Sequence, residues 1–356
     1  MASAPPASMA MARDGASPKR RPPPSHAEAA VAACWPVGHV LGLRGASGFG
    51  SSTTADDVLR ELGVAAAEGV AVVTGGNGAL GRETGRALAK AGMHVVLACR
   101  SAARGEDAAQ AIRADVPGAL VTACVLDLAD LESVRQCAAG IAGRQLGPVR
   151  VVVCNGGLMP PKEHASVRMA NGEDVEITLA VNYVGHALLV HLLTPGLKAG
   201  ARAYGDARVV HVSSAVHRLH GVADVAEFGA RCSPLRAYAR SKLAMVLHAN
   251  ALARQFAGEA LPLRVLAVHP GGVDTAGARD SATGQGAAGA VLRTLGKPFV
   301  KSVPQGGASI VWACVARGAP NGAYVANCNV CAPAQAARDD ALADALLRRT
   351  RAWGGW

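Results

Sequence analysis

The chain has 356 residues, half of them apolar, so it can bury the core of one large domain or of two average ones. Its formal net charge is +10, but the basic residues are scattered and aromatic residues make up only 3% of the chain. This pattern argues against a nucleic-acid-binding surface and predicts attraction for anionic cofactors or surfaces. No uninterrupted apolar run reaches the ~18 residues that a membrane-spanning helix needs, which predicts a soluble or peripheral protein.

Residues 1–55 differ in composition from the rest of the chain. The first thirty are rich in Ala, Ser and Pro and hold four basic side chains against two acidic ones. Such a segment cannot bury enough apolar surface to order itself, which predicts a disordered leader. It also fits a transit peptide, and its proline content favours a plastid signal over the amphipathic helix of a mitochondrial one.

From residue 70 onward the pattern becomes regular. Six buried-strand patterns follow one another: VAVVT, HVVLAC, LVTACVL, VRVVVC, ARVVHVS and LRVLAV. Helical stretches separate them, at about 80–91, 103–114 and 131–142 and then over a long apolar segment. Buried strands that alternate with helices pair in parallel, with helices on both faces of the sheet. We predict one Rossmann-type α/β domain over residues 56–338, a doubly wound parallel sheet whose ligand lies beyond the carboxyl ends of the strands.

A glycine-rich turn, TGGNGALG (Thr74 to Gly81), joins the first strand to its helix. Glycines let the backbone turn sharply and approach a pyrophosphate, which the N–H groups of a helix N-terminus stabilise. Glycine makes up 42 of the 356 residues, so the turn is weak support by itself. Its place between a buried strand and a helix gives it weight.

Polar residues follow the next three strands. Arg100 comes after the second strand, where NAD-binding sites place an acid, and no Asp or Glu follows until Glu106. A guanidinium there suits a 2′-phosphate and predicts NADP(H) rather than NAD(H), with a solvated arginine at a helix start as the alternative. The third strand ends at Asp127, placed for the adenine end of a cofactor. The fourth ends in CNGG, where Asn155 and its glycines let the backbone come close.

Four polar residues in the second half of the chain predict an active site. Asn182 lies in an apolar helical stretch, where it needs a hydrogen-bonding partner, and Ser214 follows the fifth strand. Tyr238 and Lys242 of YARSK are four residues apart and so project from one face of a helix. A neighbouring ammonium stabilises a tyrosinate, so we expect Lys242 to lower the pKa of Tyr238 from about 10. A solvated surface pair is the alternative.

Together these motifs resemble the short-chain dehydrogenase/reductase family. The turn is similar to the family's TGxxxGxG, CNGG to its NNAG, YARSK to its YxxxK, and HPGGVDT (residues 269–275) to its PGxxxT. The order and separation of six motifs agree over about residues 68–330. ACRS, GHALL and YARSKLAMVLHANALARQF are most similar to the retinol-dehydrogenase-like branch. From about residue 45 to 347 the chain also resembles family members associated with the protein translocon of the inner chloroplast envelope.

The resemblance implies an enzyme that transfers a hydride between NADP(H) and a carbonyl or alcohol. In such an enzyme Tyr238 donates a proton to the carbonyl oxygen, and Ser214 holds that oxygen by a hydrogen bond. Lys242 also binds the nicotinamide ribose, and Asn182 carries a water-linked proton path to the lysine. The residues that the resemblance implies for cofactor binding are Thr74, Gly75, Asn77, Gly78, Leu80, Gly81, Arg100, Asp127, Leu128, Asn155, Gly156, Tyr238, Lys242, Pro270, Gly271, Val273 and Thr275.

Two positions depart from the family pattern. Ala79 stands where the family has its middle glycine and adds a methyl group near the expected path of the phosphates, and Cys154 replaces the first asparagine of NNAG. Residues 276–302 are expected to form a mobile lid over the nicotinamide. The apolar residues of this lid predict a small hydrophobic carbonyl or alcohol as substrate: Val291, Leu292, Leu295, Phe299 and Val300.

A second class of function stays open at this stage. The chain could serve as a regulatory or interaction subunit that senses the NADP redox state in a membrane complex such as the chloroplast import machinery. The intact set of four catalytic residues argues against a vestigial site. The resemblance and the leader together predict a chloroplast protein of the inner envelope or stroma, with the cytoplasm as the alternative. A peripheral membrane or translocon partner and a homo-oligomer both remain open.

The last segment, residues 339–356, predicts a C-terminal helix and tail. Acidic residues stand at its start and basic residues at its end, as the helix dipole favours. Leu342, Leu346 and Leu347 form a narrow apolar stripe, which predicts a closing helix packed on the domain. A basic amphipathic helix that docks on an acidic membrane surface or on a helix-binding partner is the alternative.

Nine cysteines lie mostly within apolar runs, which predicts reduced thiols in the core. Cys328 and Cys331 form a CxxC pattern, but no second pair completes a zinc site. We therefore predict no metal, and a structural or incidental role for these two thiols, with a metal or redox role as the alternative.

Overall fold

The computed structural model describes residues 42–65, 67–159, 165–219, 221–222, 224–273 and 300–356. Its strands are β1 (Val70–Thr74), β2 (His94–Cys99), β3 (Val121–Val125), β4 (Val149–Cys154), β5 (Ser166–Arg168), β6 (Asp174–Glu176), β7 (Ala207–Val212), β8 (Leu263–His269), β9 (Tyr324–Ala326) and β10 (Asn329–Cys331). Its helices are α1 (Ala55–Glu61), α2 (Ala79–Lys90), α3 (Ala102–Asp115), α4 (Leu131–Gly143), α5 (Ile177–Tyr204), α6 (Pro234–Ala257), α7 (Val303–Val315) and α8 (Asp340–Gly354).

An eight-stranded sheet forms the centre of the fold, in the order β3-β2-β1-β4-β7-β8-β9-β10. Neighbouring strands pair in parallel, except β9 and β10, which form an antiparallel hairpin at one edge. The predicted doubly wound Rossmann-type sheet is confirmed. The strand order reverses between β1 and β4, so the crevice at their carboxyl ends is where a sheet of this kind binds its ligand.

Helices cover both faces of the sheet. Helices α1, α2, α3 and α7 pack on one face, and α4, α5, α6 and α8 on the other. Strands β1 and β7 are buried at every residue, and β2 and β4 at all but one. Burial on both faces explains why these strands read as continuous apolar runs rather than as alternating patterns.

Helix α5 is long and apolar enough to cross a membrane, and no other helix in the described part of the chain passes that test. In this structure α5 is a core helix, because it packs on β4 and against α4 and most of it is buried. The length and apolar composition of α5 are therefore weak support for a membrane-spanning role. Residues Ala180–Val184 of α5 form a π-helical turn that contains Asn182.

The segment before β1 belongs to the fold from residue 42 onward. Phe49 is 6% exposed and Ala55 is fully buried, and α1 packs on α7 and α2. The Asn329 side chain accepts a hydrogen bond from the Ser47 N–H (3.0 Å) and donates one to the Phe49 carbonyl (3.0 Å). The predicted leader boundary at residue 55 is therefore wrong for residues 42–55, which gain these contacts at the sheet edge. Residues 1–41 lie outside the described residues.

Helix α8 closes the domain as predicted. Leu346 is fully buried and Leu342 is 8% exposed, while Leu347 is half-buried against the same core. Asp339 caps the helix by accepting from the Leu342 N–H (2.9 Å). The leucine stripe is therefore covered by the protein itself, which leaves little of it for a membrane surface.

Candidate active site

Two glycines shape the turn after β1. Gly75 has a φ of +63°, and a Cβ on it would lie 2.8 Å from Gly156 Cα. A Cβ on Gly81 would lie 2.2 Å from the Gly75 carbonyl oxygen. A side chain at either position would therefore be strained. Helix α2 begins at Ala79 with no side-chain cap, so its first N–H groups are available to an anion.

Thr74 connects this turn to β4 and α5. Its hydroxyl oxygen accepts hydrogen bonds from the backbone N–H groups of Asn155 (2.9 Å) and Gly156 (2.8 Å). The same oxygen lies 2.8 Å from Nε2 of His186, whose Nδ1 lies 2.9 Å from the Asn182 carbonyl oxygen. Because a carbonyl oxygen only accepts, Nδ1 carries the proton and the Thr74 hydroxyl donates to Nε2. Burial lowers the pKa of His186 to about 4, which keeps this ring neutral at pH 7.

A cavity of about 620 Å³ opens at the carboxyl ends of β1, β2 and β4, a volume typical of a cofactor site. Its walls contain ten of the residues predicted to bind the cofactor: Gly75, Asn77, Gly78, Leu80, Gly81, Arg100, Asp127, Leu128, Asn155 and Gly156. Thr74 is buried beneath these residues. Ala79, the departure from the glycine pattern, also lies in the wall. The structure thus brings together the residues of the turn after β1 and those that follow β2, β3 and β4.

Arg100 and Asp127 stand at the far end of this cavity, after β2 and β3. Arg100 is exposed and forms no ion pair with any residue that the structure describes. Its guanidinium is therefore available to an anionic group. Asp127 accepts a hydrogen bond from the Ala129 N–H (2.9 Å), and its own N–H donates to Ser133 Oγ (3.0 Å). These bonds fix the loop between β3 and α4 against the cavity.

Asn182 is fully buried and joins three parts of the site. Its Oδ1 accepts from the Leu158 N–H (2.6 Å), and its Nδ2 donates to the Leu158 carbonyl (3.1 Å) and to Ser241 Oγ (3.0 Å). Ser241 Oγ in turn donates to the Tyr238 carbonyl (2.8 Å). The π-helical turn therefore aims the amide at both the loop after β4 and helix α6. Turns of this kind recur at functional sites.

Tyr238 and Lys242 lie on one face of α6, as predicted. The Lys242 Nζ is 5.5 Å from the centre of the Tyr238 ring and donates to the Val212 carbonyl at the end of β7 (3.0 Å). A Cβ added to Gly157, a residue of the cavity wall, would lie 3.7 Å from this Nζ and 3.4 Å from Asn182 Oδ1. The predicted catalytic residues Asn182 and Lys242 therefore lie beside Gly157 at the cavity wall.

The expected lowering of the Tyr238 pKa is wrong for the protein without cofactor. Burial raises the pKa of Tyr238 to about 12, because a desolvated phenolate is unfavourable. Burial also lowers the pKa of Lys242 to about 8. Tyr238 therefore holds its proton at neutral pH, which is the state that a proton donor requires.

Ser214 lies at the end of β7 and begins a short 3₁₀ turn, where its Oγ accepts from the Val216 N–H (3.4 Å). Its neighbour Ser213 is buried and donates to the Lys242 carbonyl (2.8 Å), which joins β7 to α6. His217 bonds the Ser214 carbonyl through Nδ1 (2.6 Å), and its Nε2 accepts from the Ala334 N–H (3.0 Å). The segment around Ser214 is thus fixed from the side of α6 and from the C-terminal segment.

The residues after β8 lie beside the glycine-rich turn. Pro270 is buried, and Gly271 has a φ of +96° with the Lys301 side chain 2.7 Å from where its Cβ would be. Val273 pairs with Lys301 in a parallel bridge that joins the two ends of the predicted lid. Thr275 and residues 276–299 of the lid lie outside the described residues.

The family model of the short chain dehydrogenases matches residues 69–286, more than half of the chain. This chain belongs to the short-chain dehydrogenase family. Its members are NAD(P)-dependent oxidoreductases, so the predicted class of enzyme is confirmed.

The chain is similar in sequence to proteins of both branches that its motifs resemble. The chloroplastic short-chain dehydrogenase TIC 32 A of Brassica napus is 33% identical over 87% of this chain and 95% of its own. Human retinol dehydrogenase 12 is 34% identical over 78% of this chain and 83% of its own. A solved structure of an NAD(P)-dependent gluconate 5-dehydrogenase candidate from Beutenbergia cavernae, with bound NADP, is 27% identical. It matches with a TM-score of 0.56 over 73% of this chain and 94% of that one.

Four polar residues of this short-chain dehydrogenase contact the site although the sequence motifs did not single them out. His186, Ser213, His217 and Ser241 each bond a predicted site residue or its backbone. For His186 a signal existed, because it follows Asn182 by one helical turn in an apolar stretch and so lies on the same face. Ser213 and Ser241 bond site residues on other elements, and no local pattern points to such contacts, whereas His217 bonds Ser214 within one 3₁₀ turn.

Proposed function

We propose that this enzyme transfers a hydride between NADP(H) and a hydrophobic carbonyl or alcohol. The observation that carries the proposal is the continuity of the cavity. It runs from the Arg100 guanidinium to Gly157, whose added Cβ would lie 3.7 Å from Lys242 Nζ. The side-chain-free turn of Gly75 and Gly81 fits a pyrophosphate, and the uncapped N-terminus of α2 and the unpaired guanidinium fit its negative charges.

Bound NADPH would supply the hydride. Residues of the glycine-rich turn would hold the diphosphate, Arg100 the 2′-phosphate, and Asp127 and Leu128 would border the adenine. Lys242 would hold the nicotinamide ribose. The Tyr238 hydroxyl, which bonds none of the described residues, would donate its proton to the carbonyl oxygen of the substrate, and Ser214 Oγ would orient that oxygen.

The substrate class rests on the apolar content of the lid and on a relative. Retinol dehydrogenase 12 takes its name from a long apolar alcohol, and this chain shares 34% identity with it. The predicted lid residues Leu292, Leu295 and Phe299 are of the same character. We infer a hydrophobic aldehyde or ketone in the reductive direction, or the matching alcohol in the oxidative one.

Turnover assays test the catalytic part of the proposal. NADPH consumption is measured with a panel of aldehydes, quinones and retinoids. Tyr238→Phe should abolish turnover and leave NADPH affinity near that of the wild type, because only a hydroxyl is lost. Lys242→Met should damage both, since it also removes the ribose contact. Tyr204→Phe, at the distant end of α5, is the matched control. Substantial activity in Tyr238→Phe would contradict the proton-donor role.

Binding titrations test the cofactor part. NADPH should bind at least about tenfold more tightly than NADH, or ~1.4 kcal/mol, a modest value for a phosphate–guanidinium contact. Arg100→Ala should narrow the difference by weakening NADPH, whereas Arg202→Ala, an exposed arginine of α5, should leave it unchanged. Full NADPH preference in Arg100→Ala would assign the phosphate contact to another cation.

We also propose that the enzyme works in the chloroplast. The proline-rich, basic start of the chain and the likeness to chloroplastic TIC 32 A support this location. A fluorescent fusion of residues 1–60 that stays in the cytosol would overturn the location and leave the enzyme proposal intact. If NADPH binds tightly but no carbonyl in the panel is turned over, a regulatory subunit that senses NADP becomes the better account.

A further inference from the structure

Two cysteines outside the catalytic set lie in direct contact. The sulfur atoms of Cys124, on β3, and Cys137, on α4, are 3.2 Å apart. Both thiols are free, and a disulfide bond of about 2.0 Å needs an approach of only about 1.2 Å. The CxxC pair that the sequence offers is different, because the Cys328 thiol contacts Ser309 (3.9 Å) and the Cys331 thiol contacts the Asn329 carbonyl (3.4 Å).

The two thiols of this pair have unequal surroundings. Cys124 is partly exposed, whereas Cys137 is 2% exposed. The hydrogen bond from Cys137 lowers the pKa of Cys124 to about 7, and the guanidinium of Arg144, which bonds the adjacent Ala123 carbonyl, acts in the same direction. The same contact, together with burial, raises the pKa of Cys137. Cys124 is therefore the accessible thiolate and Cys137 the protonated thiol behind it.

The pair also flanks a segment that lines the cofactor cavity. The chain that connects the two cysteines contains Leu126, Asp127, Leu128 and Ala129, all of which line the cavity. Asp130 then caps α4, two turns before Cys137. A bond between the two sulfurs would fix both ends of this wall.

We propose that Cys124 and Cys137 are a modification site, a dithiol that is converted reversibly to a disulfide by a disulfide-containing oxidant such as oxidised glutathione or an oxidised dithiol protein. The Cys124 thiolate attacks one sulfur of the oxidant, which forms a mixed disulfide and releases the first thiolate. Cys137 then loses its proton and attacks the Cys124 sulfur, which expels the second thiolate. The two cysteine protons pass to the two released thiolates, so one disulfide is made and one is reduced.

Closure should affect the cofactor. Drawing the sulfurs together changes the positions of β3 and α4 relative to each other. The loop between them, which contains Leu128 and forms one wall of the cofactor cavity, should move with them. We therefore expect the oxidised protein to bind NADPH more weakly, on the order of fivefold, the lower end of typical coupling between two sites. By reciprocity, saturating NADPH should lower the ratio of disulfide to dithiol at equilibrium with a glutathione buffer by the same factor.

Mass spectrometry of the full chain tests the pair directly. The reduced protein is equilibrated with oxidised glutathione, alkylated and digested with trypsin. Cleavage after Arg135 places the cysteines in separate peptides, 114–135 and 136–144, so a disulfide appears as a linked pair that is lighter by about 2 Da than the sum of its thiols. The linked pair, and its loss on treatment with a dithiol, are the expected results. A glutathione adduct on Cys124 with Cys137 still free, or no reaction at either thiol, would overturn the proposal.

Single substitutions assign the order of attack. Cys137→Ser should trap the mixed disulfide on Cys124, whereas Cys124→Ser should leave Cys137 unmodified. Cys232→Ser, which removes a partly exposed thiol with no neighbouring sulfur among the described residues, is the matched control and should form the linked peptides like the wild type. A NADPH Kd that is equal in the oxidised and reduced wild type would overturn the coupling to the cavity, and the same oxidant should leave the Kd of Cys124→Ser unchanged.

Discussion

A single hydroxyl group, that of Thr74, connects the cofactor turn to the catalytic helix. It accepts two backbone N–H groups at the end of β4 and donates to the His186 ring, which in turn donates to the Asn182 carbonyl. No other side chain in the described site bridges β1, β4 and α5 in this way. Thr74 is also one of the residues predicted to bind the cofactor.

We predict that Thr74→Val strongly destabilises the protein. The valine has nearly the same shape but leaves the buried Gly156 N–H and a buried imidazole nitrogen of His186 without their partner, each of which costs about 1–3 kcal/mol. The free energy of unfolding, measured by urea denaturation, should fall by about 2 kcal/mol or more. Thr74→Ser keeps the hydroxyl and should lose much less. Equal losses in the two variants would show that the methyl group, not the hydroxyl, matters at this position.

Single residues could be predicted from the sequence where a motif has fixed spacing. Tyr238 and Lys242 are one helical turn apart, and that spacing alone places them on one face. The direction of the Tyr238 pKa shift could not be predicted, because it depends on how deeply the folded protein buries the phenol ring. The Cys124–Cys137 contact was also beyond prediction, since a strand and a helix bring the two residues together.

At the scale of elements, α8 is held by contacts with three parts of the domain. Trp353 is fully buried and donates from Nε1 to Glu173 (3.0 Å), while the Arg349 guanidinium lies 4.9 Å from the Trp353 ring centre. Arg254 of α6 forms ion pairs with Asp340 and Asp344. The exposed ion pairs contribute little, so the buried tryptophan and leucines supply most of the stability of this helix.

We predict that Leu346→Ala lowers the free energy of unfolding by about 2–5 kcal/mol, because it opens a cavity in a fully buried position. Arg348→Ala, on the exposed side of α8, should change it by less than about 0.5 kcal/mol. Binding to anionic liposomes, measured by co-sedimentation, should be absent in both variants and in the wild type. Binding that is strong in the wild type and lost in Arg348→Ala would favour the membrane-docking interpretation of α8.

Long, regular elements could be predicted from the sequence more readily than short ones. Helices α2, α3 and α4 begin and end within one residue of the predicted stretches, because their apolar periodicity is clear. Strands β9 and β10 have three residues each, too few for a pattern, and their pairing depends on the neighbouring β8. The π-helical turn in α5 has no signal of its own in the sequence.

At the scale of the whole molecule, several histidines are buried in their neutral form. His186, His217 and His248 have pKa values lowered to about 4, 4 and 3, in each case chiefly by burial. His211 is also fully buried, and both of its ring nitrogens lack a partner among the described residues. Its ring packs 4.9 Å from that of His248. These rings bind protons readily only when the chain unfolds.

We therefore predict a loss of stability in mild acid. The folded pKa values lie below the ordinary 6.5, so the unfolded chain binds more protons between pH 6.5 and 4, and stability falls as the pH falls through that window. Each ring contributes on the order of 1–3 kcal/mol. Urea denaturation at pH 7, 6, 5 and 4 should show this decline. The carboxylate of Asp57 has a pKa lowered to about 2, so protonation of this group reduces the stability of the fold only at lower pH.

A variant separates the histidine effect from general acid damage. His211→Val replaces a buried, unpartnered imidazole with an apolar side chain suited to a strand, so its stability at pH 7 should be no lower than that of the wild type. Its decline between pH 6.5 and 4 should be shallower. A decline as steep as that of the wild type would exclude His211 from the effect.

The contact between Ser47 and Asn329 spans 282 positions of the chain. A ribosome or a translocation pore releases a chain from one end to the other, so the segment around Ser47 has to wait for nearly the whole protein before it can dock on β10. Until then the segment and everything before it stay open to chaperones and to proteases, even after the central strands have paired. Residues 42–55 are therefore accessible to other proteins while the chain is being released, and they become inaccessible once the domain has folded.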